Sequence, residues 1–185
     1  MTKVVRLTLV SHAMTDAMTA ARFPDDESLN ETGRRQAEAT GALAISGPRA
    51  RHVAAPELRA RQTARLLGLH AATEPLLADL DCGHWRGKTL AAVDPADLQV
   101  WLTRPDRAPH GGESVVELIE RVGGWLASTL HGPPRTVAVT HPAVIRAAIL
   151  LALDIAPKSF WRIDVAPAGV TKLHHRDGSW TLRLG

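Results

Sequence analysis

Two histidines and an arginine each come just after a short hydrophobic segment that is typical of a buried strand. His12 directly follows the first such segment, Arg59 comes shortly after the second, and His141 directly follows a third. Histidine provides a nucleophile or an acid–base group near neutral pH, and the planar guanidinium of arginine matches the oxygens of a phosphate. This combination favours chemistry on a phosphate group.

Each of these residues also has a structural explanation when it is considered alone. A single histidine after a strand is more often a hydrogen-bonded structural residue than a catalytic one. Glu113, a fourth candidate, follows two glycines in the first turn of a predicted helix, where a glutamate also complements the helix dipole. The functional interpretation is favoured because ligands of open α/β sheets bind at the carboxyl ends of the strands, where His12, Arg59 and His141 would converge.

Strand-like and helix-like patterns alternate along the chain and predict an α/β fold. We expect a three-layer sandwich with a mostly parallel central sheet, helices on both faces and an antiparallel edge hairpin at the C-terminus. The turn signal at Arg176-Asp177-Gly178 predicts the hairpin. The predicted strands are residues 3–10, 52–55, 136–140, 161–165, 169–174 and 180–184, and the predicted helices are 31–45, 57–67, 113–130 and 142–153.

Length and composition limit the classes of protein to consider. A chain of 185 residues fits one domain, residues 1–185. The single cysteine, Cys82, excludes an internal disulfide framework and a cysteine-rich zinc site, and we expect neither a metal nor a cofactor. The arginines behind the net charge of +3 are scattered, which argues against nucleic-acid binding. Apolar stretches too short to span a membrane predict a soluble, cytoplasmic protein.

Six segments, in order, resemble the motifs of the histidine phosphatase (phosphoglycerate-mutase-like) superfamily, small phosphatase branch. Together they extend over nearly the whole chain. The first resembles the Arg-His-Gly motif in altered form, the third the Ser-Pro-x-x-Arg-Ala segment, and the fifth the Pro-x-Gly-Gly-Glu-Ser stretch. The segments are residues 9–13 around His12, 29–37, 56–64 around Arg59, 80–87, 109–114 around Glu113 and 139–146 around His141.

The resemblance implies a role for each candidate residue. His12 would attack phosphorus and form a phosphohistidine, which divides one difficult transfer into two easier steps. Arg59 and His141 would bind the phosphoryl oxygens, and Glu113 would act as general acid and base. The implied activity is metal-independent hydrolysis of a phosphomonoester, and the implied ligand is a small phosphorylated metabolite.

The chain departs from the family pattern around the predicted phosphate site. Ser11 replaces the arginine that precedes the nucleophile, although it remains a candidate phosphate ligand. Pro142, which follows the second histidine, has no backbone N–H to offer. Losing one charged donor at a transition state costs on the order of a hundred- to a thousandfold in rate. Arg22, in the loop after His12, is the candidate replacement for the missing positive charge, with an ordinary solvated loop residue as the alternative.

Three functions therefore remain open. The first is a histidine phosphatase acting through His12. The second is a catalytically impaired domain that binds a phosphorylated ligand or regulates, and the third is a phosphoglycerate-mutase-like phosphotransferase. A homodimer is also open, since exposed tryptophans would mark an interface, whereas core packing is the alternative for most of the five tryptophans.

Overall fold

The computed structural model describes residues 4–41 and 49–184, and its elements alternate between strand and helix for most of the chain. Short 3₁₀ helices lie at Pro75–Leu77, Gly83–Trp85, Leu90–Ala92 and Pro157–Arg162. The strands are β1 (Val5–Ser11), β2 (Arg51–Ala54), β3 (Ala72–Thr73), β4 (Arg135–Thr140), β5 (Val170–Arg176) and β6 (Ser179–Arg183). The helices are α1 (Asp16–Thr19), α2 (Glu31–Thr40), α3 (Leu58–Leu66), α4 (Pro95–Thr103), α5 (Val115–Thr129) and α6 (Pro142–Ala152).

The sheet is mixed, with strand order β3-β2-β4-β1-β5-β6. The first four strands in that order run parallel to one another, and β5 and β6 form an antiparallel pair at one edge. Residues 136–140 of β4 are buried on both faces of the sheet because helices pack around it. The predicted α/β fold, with its mostly parallel sheet and C-terminal antiparallel hairpin, is confirmed.

The strand predicted at residues 161–165 is wrong. Pro157–Arg162 instead forms a 3₁₀ helix, and the indole of Trp161 packs against Trp101 with ring centroids 4.2 Å apart. The apolar pattern of this segment therefore reflects burial in an aromatic cluster rather than pairing in the sheet. At α2, the helix ends at Thr40, and the predicted continuation beyond residue 41 lies outside the described residues.

The register of the parallel strands aligns their carboxyl ends. Ser11, the last residue of β1, is level with Thr140, the last residue of β4, and Ala54 of β2 is level with Val139. The residues that follow these three strands therefore leave the sheet at the same edge. They are the segments that contain His12, Arg59 and His141.

Two glycines let the segment after Leu80 pack backbone to backbone against the segment before α5. A Cβ on Gly112 would lie 2.0 Å from the carbonyl oxygen of Asp81, and a Cβ on Gly83 would lie 2.1 Å from that of His110. The Glu113 N–H donates to the Asp81 carbonyl at 2.8 Å across this contact. The close approach fixes the path of the chain that leads away from the sheet edge.

Replacing Gly112 with alanine should therefore destabilise the protein. The added methyl cannot fit without moving the Asp81 backbone, and overpacking of this kind costs about 1–3 kcal/mol in the free energy of unfolding. Gly124→Ala is the matched control, because nothing lies within 4 Å of its added Cβ and alanine is the better helix former. Urea unfolding of both variants measures the difference, and equal stability of the two would contradict the prediction.

Candidate active site

His12 lies at the end of β1 with a buried imidazole. Its Nδ1 lies 2.8 Å from the carbonyl oxygen of Ala13, so Nδ1 donates and the lone pair is left on Nε2. Burial is the largest cause that lowers the pKa of His12, and together with the positive charges of His141 and Arg59 it brings that pKa to about 4. The ring is therefore neutral above pH 5, which is the form that a nucleophile requires.

Arg59, in the first turn of α3, is almost completely buried and only partly paired. Its Nη2 donates to Asp79 Oδ2 at 2.5 Å, whereas Nε and Nη1 have no hydrogen-bond partner among the described residues. Buried donors without partners are costly, so their presence beside His12 indicates a site for an anion with several acceptor oxygens. His12, Arg59 and Asp79 line the same cleft, of about 170 Å³.

Asp79, which the sequence did not single out, is the carboxylate closest to this group. Burial alone would raise the pKa of its carboxyl, but the charges of His141, Arg59 and His12 outweigh that effect and lower it to about 2. The carboxylate is therefore ionised at neutral pH. One signal in the sequence could have found it: Asp79 lies directly before the recognised segment at residues 80–87, after the short apolar stretch Pro75–Leu77.

His141 is fully buried at the N-cap of α6, with its ring centroid 5.2 Å from that of His12. Its Nε2 lies 2.7 Å from Glu57 Oε2, and its Nδ1 lies 3.4 Å from Asp79 Oδ2. Three of the four residues predicted to be catalytic, His12, Arg59 and His141, therefore meet at the carboxyl edge of the sheet. Two unforeseen carboxylates accompany them.

Glu113 is the predicted catalytic residue that the structure does not bring into this group. Its carboxylate is bound by Arg121 through two hydrogen bonds, at 2.8 Å from Nε and 2.7 Å from Nη2. Arg121 also donates to the carbonyls of Leu76 and Ala78, which ties Glu113 to the neighbouring segment. Glu113 does not line the His12 cleft itself but a surface depression that adjoins it, since Asp79 lines both.

Comparison with known proteins agrees with this arrangement. The model of the histidine phosphatase superfamily (branch 1) matches residues 7–184. The chain belongs to this superfamily. Membership in branch 1 of the histidine phosphatase superfamily explains why the six motifs occur in this order along a chain with this mixed sheet.

Several mycobacterial proteins are similar to this histidine phosphatase superfamily member. The bifunctional protein Rv2228c of Mycobacterium tuberculosis is 31% identical, over 97% of this chain and 53% of the relative. The chain thus spans about half the length of the first curated relatives that it matches. The glucosyl-3-phosphoglycerate phosphatase of Mycobacterium tuberculosis is 30% identical, over 82% of this chain and 77% of the relative.

The similarity extends to solved structures. The mycobacterial glucosyl-3-phosphoglycerate phosphatase Rv2419c, solved in complex with VO3, superimposes with a TM-score of 0.86 at 27% identity. That match covers 97% of this chain and 98% of the other. A probable phosphoglycerate mutase, GpmB of Yersinia enterocolitica, is 24% identical over 96% of this chain and 88% of its own length. Relatives of this superfamily member therefore include both phosphatases and a probable mutase.

The two predicted phosphate ligands near His12 occupy different positions. The Ser11 hydroxyl is fully buried and donates to the carbonyl of His12 at 3.3 Å, so its proton is used by the backbone of the next residue. Arg22 lines the cleft together with His12 and Arg59, and it has no carboxylate within 4 Å among the described residues. Of the two, Arg22 is the residue placed to meet an anion in the cleft.

Arg146 is a third cleft-lining guanidinium, beside Arg22 and Arg59, and the sequence reasoning missed it. Its Nε donates to the carbonyl of Ile163 at 2.7 Å, and its guanidinium lies 5.5 Å from the centroid of the Trp161 ring. Burial lowers its pKa, which means that its charge is partly desolvated. Helical spacing could have indicated it, because Arg146 lies one turn after Pro142 and Ala143, which line the same cleft.

Part of the cleft lining is apolar. It is formed by four side chains from α1, the loop after α1, α4 and the 3₁₀ helix Pro157–Arg162, and a sequence without a fold gives no sign that they meet. The rings of Trp101 and Trp161 pack on each other here, and Trp101 also contacts Phe23 at 5.5 Å between centroids. The four side chains are Met18, Phe23, Trp101 and Trp161.

Within residues 4–41 and 49–184, no group of three histidine, cysteine, aspartate or glutamate side chains is placed to hold a metal ion. No helix in those ranges is both long and apolar enough to cross a membrane. Cys82 lines the cleft as a buried thiol, and burial raises its pKa to about 12, so it is not a nucleophile at neutral pH.

Proposed function

We propose that this protein is a metal-independent phosphomonoester hydrolase that acts through a phosphohistidine on His12. The observation that carries the proposal is the pair of buried, unpartnered Arg59 donors beside a neutral imidazole whose Nε2 is free. A dianionic phosphoryl group supplies the acceptors that these donors lack, and it presents phosphorus to Nε2. The phosphatase names of the relatives agree with this function.

In the first step, His12 Nε2 forms a bond to phosphorus and the bond from phosphorus to the leaving oxygen breaks. Arg59 and His141 stabilise the charge on the phosphoryl oxygens. We assign protonation of the leaving oxygen to Asp79 instead of Glu113, because Asp79 lines the cleft and Glu113 is held by Arg121. A bound phosphoryl group brings negative charge beside the Asp79 carboxylate, which favours the protonated form that the donor needs.

In the second step, water attacks the phosphorus of the phosphohistidine. Asp79 accepts the proton from that water, the P–N bond breaks, and inorganic phosphate leaves with His12 restored. We assign the apolar side chains of Met18, Trp101 and Trp161, which line the same cleft, to contact with the leaving group, because a phosphate requires polar partners. The substrate class is therefore a small phosphorylated metabolite whose leaving group carries apolar surface.

The experiment that tests the function is incubation with p-nitrophenyl phosphate, with alkyl phosphates and, separately, with phosphoglycerate, all in the presence of EDTA. Release of inorganic phosphate together with an acid-labile phosphoenzyme would support the phosphohistidine mechanism. Isomerised phosphoglycerate without release of phosphate would support the mutase alternative. Binding of phosphate without turnover of any ester would instead support the impaired ligand-binding domain, the alternative raised by Ser11 and Pro142.

Arg22 and Arg146 are proposed to provide the positive charge that Ser11 lacks. Both line the cleft, and neither has a carboxylate within 4 Å among the described residues. Replacing either with alanine should lower kcat/KM about 10- to 100-fold, the range for losing a hydrogen bond to a charged group. Arg61→Ala is the control, because Arg61 lines a different depression. If Arg22→Ala leaves turnover and phosphate binding unchanged, Arg22 is an ordinary loop residue.

A further inference from the structure

Glu57 occupies a helix-capping position without capping the helix. It is the N-cap residue of α3, yet its side chain makes no hydrogen bond to the backbone of that helix. One carboxylate oxygen, Oε1, accepts from the backbone N–H of Asp79 at 3.0 Å. The other, Oε2, contacts Nε2 of His141 at 2.7 Å. Glu57 therefore links the start of α3 to two other elements of the candidate active site.

We propose that Glu57 is a positioning residue that holds a proton on His141 Nε2, so that His141 contacts the phosphoryl group as an imidazolium. This inference rests on the phosphatase function proposed above and adds to it a residue that does not itself touch the substrate. Its consequence is a further positive charge at the phosphate site, in addition to the arginines, in a chain that has Ser11 in place of an arginine.

The argument begins with the protonation of the two partners. Burial alone would raise the pKa of Glu57, but its hydrogen bond with His141, the charge of His141 and the Asp79 N–H outweigh burial and lower it. Glu57 is therefore a carboxylate at neutral pH. A carboxylate can only accept a hydrogen bond, and therefore the proton in this contact lies on His141 Nε2.

The second ring nitrogen decides the charge of His141. Nδ1 is buried and has no hydrogen-bond partner among the described residues, although Asp79 Oδ2 lies 3.4 Å away. We assign Nδ1, the ring nitrogen that Glu57 does not bind, to a phosphoryl oxygen, which is itself an acceptor. Because Nε2 already carries a proton, donation from Nδ1 requires both nitrogens to be protonated.

The charges that face His141 come from three elements. Glu57 and Arg59 approach from the start of α3, Asp79 approaches from the loop after Pro75–Leu77, and His12 approaches from the end of β1. Both carboxylates contact the His141 ring directly. Arg59 directs one nitrogen to Asp79, and His12 is neutral above pH 5. The Glu57 carboxylate therefore favours the cationic ring, and Asp79 adds to this effect while it is ionised.

Glu57→Gln tests the proposal, because the amide keeps the size of the side chain and its acceptor for the Asp79 N–H. In the variant, the amide N–H of residue 57 faces Nε2 of His141, so Nε2 must accept a hydrogen bond. His141 is then neutral, with its proton on Nδ1. We expect kcat/KM to fall about 10- to 100-fold, as when a partner that orients a histidine is lost in a metal site. The alkaline limb of the pH–rate profile should move to lower pH, because the carboxylate that stabilised the protonated ring is gone.

Glu74→Gln is the matched control. Glu74 is as buried as Glu57, with 17% of its side chain exposed against 20%, and it also accepts from a backbone N–H. It pairs with Arg51 instead of a histidine, so its replacement should leave the pH profile unchanged. Glu57→Asp retains the carboxylate and should restore the alkaline limb at least in part, which a purely structural role would not predict.

A direct readout separates this inference from the proposed function. NMR of the His141 imidazole in the wild-type protein with bound inorganic phosphate should show both ring nitrogens protonated at pH 7, and Glu57→Gln should show one. A neutral His141 in the wild type would overturn the proposal, even if the variant failed to fold. An identical protonation state in wild type and Glu57→Gln would also overturn it. Absence of turnover on every phosphomonoester would remove the phosphatase function, while the NMR result would still decide the role of Glu57.

Discussion

Replacing His12 with alanine should reduce phosphomonoester hydrolysis by at least about 10,000-fold, the scale on which enzymes lose activity when their nucleophile is removed. The physical reason is that Nε2 of this ring is the free nucleophilic lone pair in the cleft, whereas Arg59 and His141 are donors. Initial rates with p-nitrophenyl phosphate in EDTA, between pH 5 and 8, measure the effect. The phosphoenzyme should disappear with the activity.

The control for His12→Ala is His110→Ala. His110 is also fully buried, but its ring packs on Trp85 and its Nδ1 accepts from the N–H of Gly112, so it takes no part in the cleft. We expect this variant to lose stability and keep its turnover per folded molecule. Residual turnover of His12→Ala above one tenth of wild type would contradict the phosphohistidine mechanism, provided that the variant is folded.

The pKa of His12 sets the acidic side of this activity. Because burial and the neighbouring positive charges lower that pKa to about 4, the ring keeps its lone pair as the pH falls from 7 to 5. Protonation of an ordinary histidine, with a pKa near 6.5, would instead remove most nucleophile over that interval. Activity should therefore persist at pH 5 to the extent that His12 limits it.

Asp79→Asn should lower kcat/KM about 100- to 10,000-fold with alkyl phosphates, the contribution expected from a general acid. The fall in kcat/KM, which reports the first step alone, should be much smaller with p-nitrophenyl phosphate, because nitrophenolate leaves without a proton. This contrast between leaving groups identifies a proton donor, whereas loss of the Asp79–Arg59 ion pair would affect both substrates alike. Steady-state kinetics with the two ester classes provide the measurement.

Glu113→Gln is the variant to compare with Asp79→Asn, since the family resemblance assigned the same role to Glu113. The Glu113 carboxylate forms an ion pair with Arg121. We therefore expect Glu113→Gln to lose stability and to show similar changes in rate with alkyl phosphates and with p-nitrophenyl phosphate. If Glu113→Gln shows the leaving-group contrast and Asp79→Asn does not, the assignment of the acid returns to Glu113.

The sequence by itself determined the family and the fold class, an α/β fold with a mostly parallel sheet and a C-terminal antiparallel hairpin. The features that allowed this are local, so each is recognised from neighbouring residues. They are the alternating strand and helix patterns, the Asp-Gly hairpin turn and the six motifs in order. The sequence also predicted that three side chains, His12, Arg59 and His141, lie close together, because each directly follows a strand or lies at the start of the helix after it. Parallel strands in register place such positions at one edge.

Only the tertiary structure decided which carboxylate joins them. Glu113 lies in a family motif, whereas Asp79 does not. The backbone contact between Gly112 and Asp81 places the Glu113 carboxylate against Arg121, and Asp79, two residues before Asp81, lines the cleft instead. Glu57 bonds to a residue 84 positions away in the chain. Side-chain contacts over such separations depend on how loops pack, and neither propensity nor spacing encodes that packing.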